Sequence, residues 1–276
     1  MTYQIIETSR DDGSPVELYQ ISYTENEFFY TSGDTEITYN SRQYKPAPIS
    51  RSDINPGSDI NQATLNITVV SNSPIGEIFR VSPPSESVIL TIFATHANDG
   101  EFTVIWKGRI TGAEWKTDGE LQLTSDSIFS SLRNVGLRRR CQAQCAFALY
   151  GADCGVDRDA FREDTTLTAV SGISLSIASA IGKPDNWYAG GYVTWLNNTK
   201  GNTEKRMIRS SVGSTGVLVL ASIPTGLSAT QAIKLYPGCS HTLEGVNGCA
   251  VKFNNHKRYG GMPYMPIKNP YGSSIY

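Results

Sequence analysis

No cysteine occurs in the first 140 residues of this 276-residue chain; all five, Cys141, Cys145, Cys154, Cys239 and Cys249, follow. An odd count argues against a secreted disulfide framework, and clustering argues against random placement. Histidine is scarcer still, with only His96, His241 and His256. None lies in His-Glu-x-x-His, and neither a Gly-x-Ser-x-Gly elbow nor a phosphate-binding Gly-rich loop is present, so the commonest hydrolase and nucleotidase signatures are missing. Charge is sparse at 18%, below the roughly 25% of ordinary soluble domains. A formal net charge of −2 excludes a globally basic chain, and no sequence-specific nucleic-acid binding is expected. No apolar run approaches the roughly 18 residues of a membrane span. The stretch from Met1 to Glu7 lacks the basic and apolar regions of a secretory signal.

What is present is β chemistry. Hydrophobic residues make 39% of the chain, with 25 Gly and 13 Pro, and Thr, Ser, Tyr and Ile abound. Residues 16–23 and 63–69 alternate apolar and polar side chains as half-buried strands do, and residues 87–93 form a more continuous apolar run. Asn40-Ser41 is placed as a tight hairpin turn, and Asp118-Gly119 more clearly so, because Asp-Gly supplies the positive φ that a two-residue turn wants. A short helix is expected near Pro74–Arg80. These signals predict a β-barrel or sandwich. Residues 127–151 change character and read as a short helical connector: Ile128, Phe129, Leu132, Val135, Leu137, Cys141, Cys145 and Leu149 recur at helix-like intervals, with Gly136 interrupting the run and Gly151 placed to end it. A second β region follows, with strand-like runs at 172–177, 191–195, 205–209, 216–220 and 232–236. The tail from Asn254 to Tyr276 shows no core periodicity and reads as an ordered loop or an arm. The expected division is a β-rich domain over 1–137 and a C-terminal module over 138–276, with a β subdomain at about 165–237 between two cysteine pairs.

Eight residues separate Cys145 from Cys154 and nine separate Cys239 from Cys249, with eighty-four between the pairs. Strands filling that gap can return the chain to its starting point and bring four thiolates to one centre. Four thiolates suit zinc or an iron–sulfur cluster. Structural zinc sites usually leave about two to four residues between paired ligands, and neither pair here fits, which favours a cluster. Gly151, Gly155, Gly238, Gly245 and Gly248 crowd the cysteines and would let backbone N–H groups approach sulfur. Arg138-Arg139-Arg140 could offset thiolate charge or form a solvated basic patch. Cys141, four residues before Cys145, would share its face of a helix and reads as a spare or buried thiol. Unrelated buried thiols are the plainer alternative for the whole set.

The segments Cys145-Ala-Phe-Ala-Leu-Tyr-Gly-Ala-Asp-Cys154-Gly155, Tyr236-Pro-Gly-Cys239, Cys249-Ala-Val-Lys-Phe253-Asn254 and Gly260-Gly261-Met262-Pro263 together resemble the C-terminal module of siphophage tail-tip hub proteins. That family includes the lambda-like minor tail protein L and the second hub protein of gene transfer agents. Similarity covers about 141–157 and 236–266; residues 37–46 resemble an early segment more weakly. Met262 departs from the Gly-Gly-Phe common in the family, which bears on packing more than on ligation. The resemblance implies a non-enzymatic structural virion protein at the distal tip of a long non-contractile tail, made and assembled in the host bacterial cytoplasm. It implies a homo-oligomeric ring, a trimer, between the distal tail protein and the large central tail-tip protein. It also implies a [4Fe–4S] cluster on Cys145, Cys154, Cys239 and Cys249, serving as a structural tie or as a trigger at infection.

Other classes compete. Zinc could replace the cluster, with His241 as a substitute ligand or a neighbour of the ligands. A redox or peptidase-type tail enzyme would need a constellation such as Cys141 with His256, which no spacing rule supports. Asp157 with Asp159, or Glu163 with Asp164, could serve metal-assisted chemistry but reads first as a solvated, turn-forming stretch. Trp187, Tyr188, Tyr192 and Trp195 could present a glycan platform or pack on the second sheet. Tyr259, Tyr264, Tyr271 and Tyr276 fit an arm docking on a neighbouring subunit.

Overall fold

The computed structural model describes residues 15–24, 26–54, 63–80, 83–96, 100–133, 141–198 and 201–265. The chain divides into two compact units, Met1–Gly136 and Leu137–Tyr276. The fold is mainly β, as expected.

In the first unit the strands are β1 (Pro15–Tyr23), β2 (Asn26–Thr31), β3 (Ile37–Tyr39), β4 (Arg42–Pro46), β5 (Ile49–Arg51), β6 (Thr64–Val70), β7 (Val88–His96), β8 (Thr103–Trp115) and β9 (Glu120–Ser127). They form one sheet in the order β3-β4-β2-β1-β7-β8-β9-β6-β5. Period-two alternation sorts β1 cleanly: Tyr19, Ile21 and Tyr23 enter the main core, while Leu18 turns to a smaller cluster with Tyr44 and Phe93. The main core draws on β1, β5, β6, β7, β8 and β9 together, so the sheet curves round one apolar filling. Curvature has a local cause in β8, where pairing slips near Ile92/Phe93 on one side and Ile110/Gly112 on the other. Gly108 lies inside this strand rather than at a turn; a Cβ there would meet Ser125 Oγ at 2.6 Å and Trp106 Nε1 at 2.7 Å, crowding the Trp106–Ser125 hydrogen bond.

Both predicted hairpins form. Asn40 and Ser41 adopt φ of +49° and +59° between β3 and β4, and Gly119 has φ +83° between β8 and β9. The short helix α1 (Pro74–Phe79) starts with Pro, and the Ser73 hydroxyl accepts from the Gly76 amide at 3.3 Å. Its Ile75 and Ile78 join the main core.

The helix expected over 127–151 does not form among the described residues. A 3-10 helix spans Ile128–Arg133, with Ile128, Phe129 and Leu132 exposed, and residues 141–151 run as bends and turns. The reason is competition for backbone hydrogen bonds. The Cys145 amide donates to His241 O, Met262 N donates to Gln142 O, and the Tyr259 hydroxyl donates to Ala143 O. Distant partners thus take the groups a helix would use internally. Cys141 and Cys145 therefore share no helical face. Residues 134–140, with the three arginines, lie outside the described residues.

The second unit contains β10 (Glu163–Thr166), β11 (Ala169–Ser171), β12 (Ser174–Ser176), β13 (Tyr192–Asn197), β14 (Asn202–Val212), β15 (Val217–Leu220) and β16 (Ala232–Tyr236), in the order β10-β16-β13-β14-β15-β12-β11. The expected run at 172–177 contains β12 but begins in the turn before it, because Gly172 takes φ +58°. Leu175, Val193, Trp195, Ile208, Leu218, Leu220, Ile233 and Leu235 build its core. On β14 the inward residues also include Glu204 and Arg206, a buried ion pair at 3.1 Å. The described part of the tail is not featureless. Helix α2 (Cys249–Phe253), ended by Asn254 at φ +49°, leads into it, and the tail itself forms a 3-10 turn, His256–Arg258.

Candidate metal centre

β16 runs directly into the first cysteine loop. Pro237 and Gly238 carry the chain to Cys239, and a Cβ on Gly238 would overlap the Ala189 carbonyl, so glycine permits this close return past residues 189–191. His241, at φ +59°, bends the loop so that its amide donates to Cys239 Sγ at 3.3 Å. Its ring Nδ1 lies 3.0 Å from Cys145 O. Cys249 then opens α2, with its amide bonded to Thr242 O at 2.9 Å.

Asn255 joins the two cysteine pairs. Its side-chain amide donates to Cys154 O at 2.8 Å and approaches Cys154 Sγ at 3.9 Å, while its carbonyl accepts the Cys249 thiol at 3.4 Å. Gly260 completes the enclosure by donating its amide to Cys145 Sγ at 3.3 Å. The glycine contribution anticipated from the sequence is thus made by Gly260 and by the non-glycine His241. The sequence expectation overlooked Asn255 and Lys252, which no local motif marks.

An aromatic shell surrounds the thiols. Cys154 and Cys249 are buried and Cys145 and Cys239 half-buried, with Phe147, Tyr150, Phe161 and Phe253 packed in the same cluster as Cys154 and Cys239. Tyr150 donates to Pro237 O at 2.7 Å and meets Phe253 edge-on at 6.2 Å, tying the 145–154 loop to β16 and α2. Burial pushes the Cys249 thiol up to about 11, with the charges of Cys239, Cys154 and Cys145 acting in the same direction. Cys239 is also raised, chiefly by burial, against the opposing hydrogen bond from His241. Each of these two thiols senses Cys145 and Cys154. The four predicted residues therefore occupy one neighbourhood despite their separation in sequence.

Cys141 is exposed and is not among those charge partners. All five cysteines are free thiols. As the side chains stand, no group of three or more His, Cys, Asp or Glu among the described residues is set to hold a metal ion. The four thiols approach one another without forming a ready single-ion site. Their donor chemistry fits a four-thiolate group: four soft ligands, two backbone N–H donors to sulfur, and a buried lysine alongside.

That lysine is Lys252. It is buried on α2, donates to Trp187 O and, at 2.8 Å, to Gly238 O, and lies 4.0 Å from the Trp187 ring centroid. Burial lowers its ammonium to about 8, opposed by the negative charge of Cys239.

The competing constellations have structural duties. Tyr188 and Trp195 are buried in the second core, and Tyr192 stacks on Tyr236 at 4.4 Å, so these aromatics are packed rather than displayed. Glu163 accepts from the Tyr188 hydroxyl at 2.6 Å and pairs with Lys183 at 3.4 Å. Asp157 accepts from the Asp159 amide at 3.0 Å in a local turn. Cys141 and His256 are both exposed. Tyr259 is engaged within its own unit, through Ala143 O and His241 O, which corrects its place in an outward arm; Tyr264 is exposed, and Tyr271 and Tyr276 lie outside the described residues.

Residues 13–157, just over half of the chain, match the family described as "Baseplate hub protein, N-terminal attachment domain". The chain belongs to this phage baseplate hub family. Residues 186–269 of the hub protein match a second family, described as "Phage conserved hypothetical protein BR0599". Cys145 and Cys154 lie in the first match and Cys239 and Cys249 in the second. No curated protein matches the sequence. Among solved structures, a chain from the "Virion of native gene transfer agent (GTA) particle" is similar, with a TM-score of 0.77 at 16% identity. That similarity covers 100% of this chain and 97% of the other. At that identity the likeness is one of fold. No helix among the described residues is long and apolar enough to cross a membrane.

Proposed function

We propose that this hub protein is a structural component of the distal tail tip of a long-tailed phage particle, with no catalytic role. It forms a homo-oligomeric ring, a trimer, joining the distal tail protein to the large central tail-tip protein. The first unit is the ring-forming domain and the second the metal-bearing module. Family membership supports the hub role, and the full-length fold likeness to a virion chain agrees with a place in the particle.

In this reading Cys145, Cys154, Cys239 and Cys249 hold a [4Fe–4S] cluster. The observation that carries it is the convergence of these four thiols, and not Cys141, in one aromatic-walled neighbourhood with two N–H donors to sulfur. When bound, the cluster supplies a cross-link between segments whose nearest ligands, Cys154 and Cys239, are 85 positions apart. The chain's own residues supply the enclosure: Asn255 spans Cys154 and Cys249, and Tyr150 closes the aromatic side. Zinc is the alternative occupant, as four thiolates also suit it, but the wide spacing within each cysteine pair favours the larger group.

Anaerobic purification followed by iron, sulfide and zinc analysis, with a visible spectrum, tests the site. Matching iron and sulfide with broad visible absorbance is expected. Stoichiometric zinc without sulfide overturns the cluster and leaves the hub role intact. Mass measurement of the assembled species tests the ring; a monomer at all working concentrations argues against it.

A further inference from the structure

A buried ammonium is costly unless an anion or a full set of hydrogen bonds compensates it. Lys252 is only 8% exposed. Its Nζ donates to two neutral carbonyls, Trp187 O and Gly238 O, and faces the Trp187 ring. Among the described residues no carboxylate ion-pairs with it; Glu163, whose charge reaches it, is already bonded to Tyr188 and Lys183. The position of Lys252 is equally specific. It lies three residues after Cys249 on α2, and its Gly238 acceptor immediately precedes Cys239. One side chain therefore links the backbones that carry two of the four thiols.

We propose that Lys252 is the fixed cation that offsets the negative charge of a metal centre held by Cys145, Cys154, Cys239 and Cys249. The proposal rests on the four-cysteine reading above. Four thiolates around zinc, or around an oxidised [4Fe–4S] core, leave a net double negative charge in a partly buried site. A nearby ammonium held by neutral carbonyls supplies opposite charge without being neutralised by a carboxylate first. The two roles support each other: the centre stabilises the buried cation, and the cation stabilises the centre.

This reciprocity gives a test with opposite signs in the two states of the protein. The full-length Lys252→Met and Lys252→Gln variants are compared with wild type, each metal-loaded and metal-free. Gln keeps a donor and loses the charge; Met loses both. In the metal-free state, removing a buried cation that lacks the anionic centre leaves both variants as stable as wild type or more so, read as the melting midpoint. In the loaded state, both release metal to excess EDTA about 10-fold or more faster than wild type. With iron loaded, both also reduce at more negative potential.

If Gln retains metal like wild type, hydrogen bonding rather than charge is the role and the proposal is overturned. It is overturned equally if the metal-free Met variant melts below wild type or fails to fold, or if retention is unchanged. Wild-type metal content is read separately. Zinc without sulfide removes the cluster reading but leaves the Lys252 comparison readable as zinc release; a wild-type chain that binds neither metal overturns both.

Discussion

The Gly260 amide donates to Cys145 Sγ at 3.3 Å across 115 residues of sequence. This bond brings the two ends of the second unit's cysteine-bearing sequence together. It also explains why Gly260 is glycine: a Cβ there would lie 2.6 Å from the Phe147 ring. Substituting Gly260→Ala must displace that ring or the amide. A destabilisation of about 1–3 kcal/mol is expected, measured by denaturant unfolding. A variant as stable as wild type would show that the ring yields freely.

The four thiols and the fifth should separate cleanly in a serine scan. Changing Cys145, Cys154, Cys239 or Cys249 to Ser is expected to remove most of the bound metal, because each is one of the four proposed ligands. Cys141→Ser should retain the wild-type amount, since that thiol is exposed and outside the cluster. Metal analysis of the purified proteins decides. Equal loss from Cys141→Ser would move Cys141 into the ligand set.

The buried tyrosines predict an alkaline limit to stability. Burial, followed by the hydrogen bond to a carboxylate, raises Tyr188 beside Glu163 and Tyr19 beside Glu17 far above the ordinary tyrosine value of 10.0. The unfolded chain therefore loses these protons first as pH rises. Their stabilisation is complete below pH 10 and declines steadily above it. Unfolding midpoints should fall with rising pH in that range, and Tyr188→Phe should flatten the dependence. At neutral pH, Tyr188→Phe should cost about 1.5–3 kcal/mol for the lost bond to a charged acceptor.

Within β14, Arg206 and Glu204 form an ion pair with side chains 6% and 2% exposed. Arg206→Met alone should destabilise the second unit by about 3–5 kcal/mol, because it strands a buried carboxylate. Combining it with Glu204→Gln should recover much of that loss. A double variant as unstable as the sum of the two singles would show that the two side chains contribute independently and that the ion pair carries no coupling.

Much of the strand plan was legible in the chain. Alternation in residues 16–23 follows from the two-residue period of a pleated strand, and Asn40-Ser41 and Asp118-Gly119 announce hairpins through their tolerance of positive φ. The grouping of four cysteines as two spaced pairs, with Cys141 left over, could also be read directly. So could family resemblance, because it rests on local residue order around Cys145–Gly155 and Cys249–Asn254.

Tertiary structure decided the rest. The apolar spacing over 127–151 looked helical, yet the backbone of residues 142–145 bonds to His241, Tyr259 and Met262, partners that local periodicity cannot reveal. Trp187, Tyr188 and Trp195 were ambiguous between display and packing until the second core enclosed them. Asn255 and Lys252 carried no motif; their importance comes from carbonyls and thiols up to 101 residues away. Sequence determined which residues alternate, turn and repeat, because those properties depend on neighbours along the chain. Only the folded chain determined which distant donors meet the sulfurs and which carbonyls hold the buried Lys252 ammonium, because those contacts depend on the whole path between them.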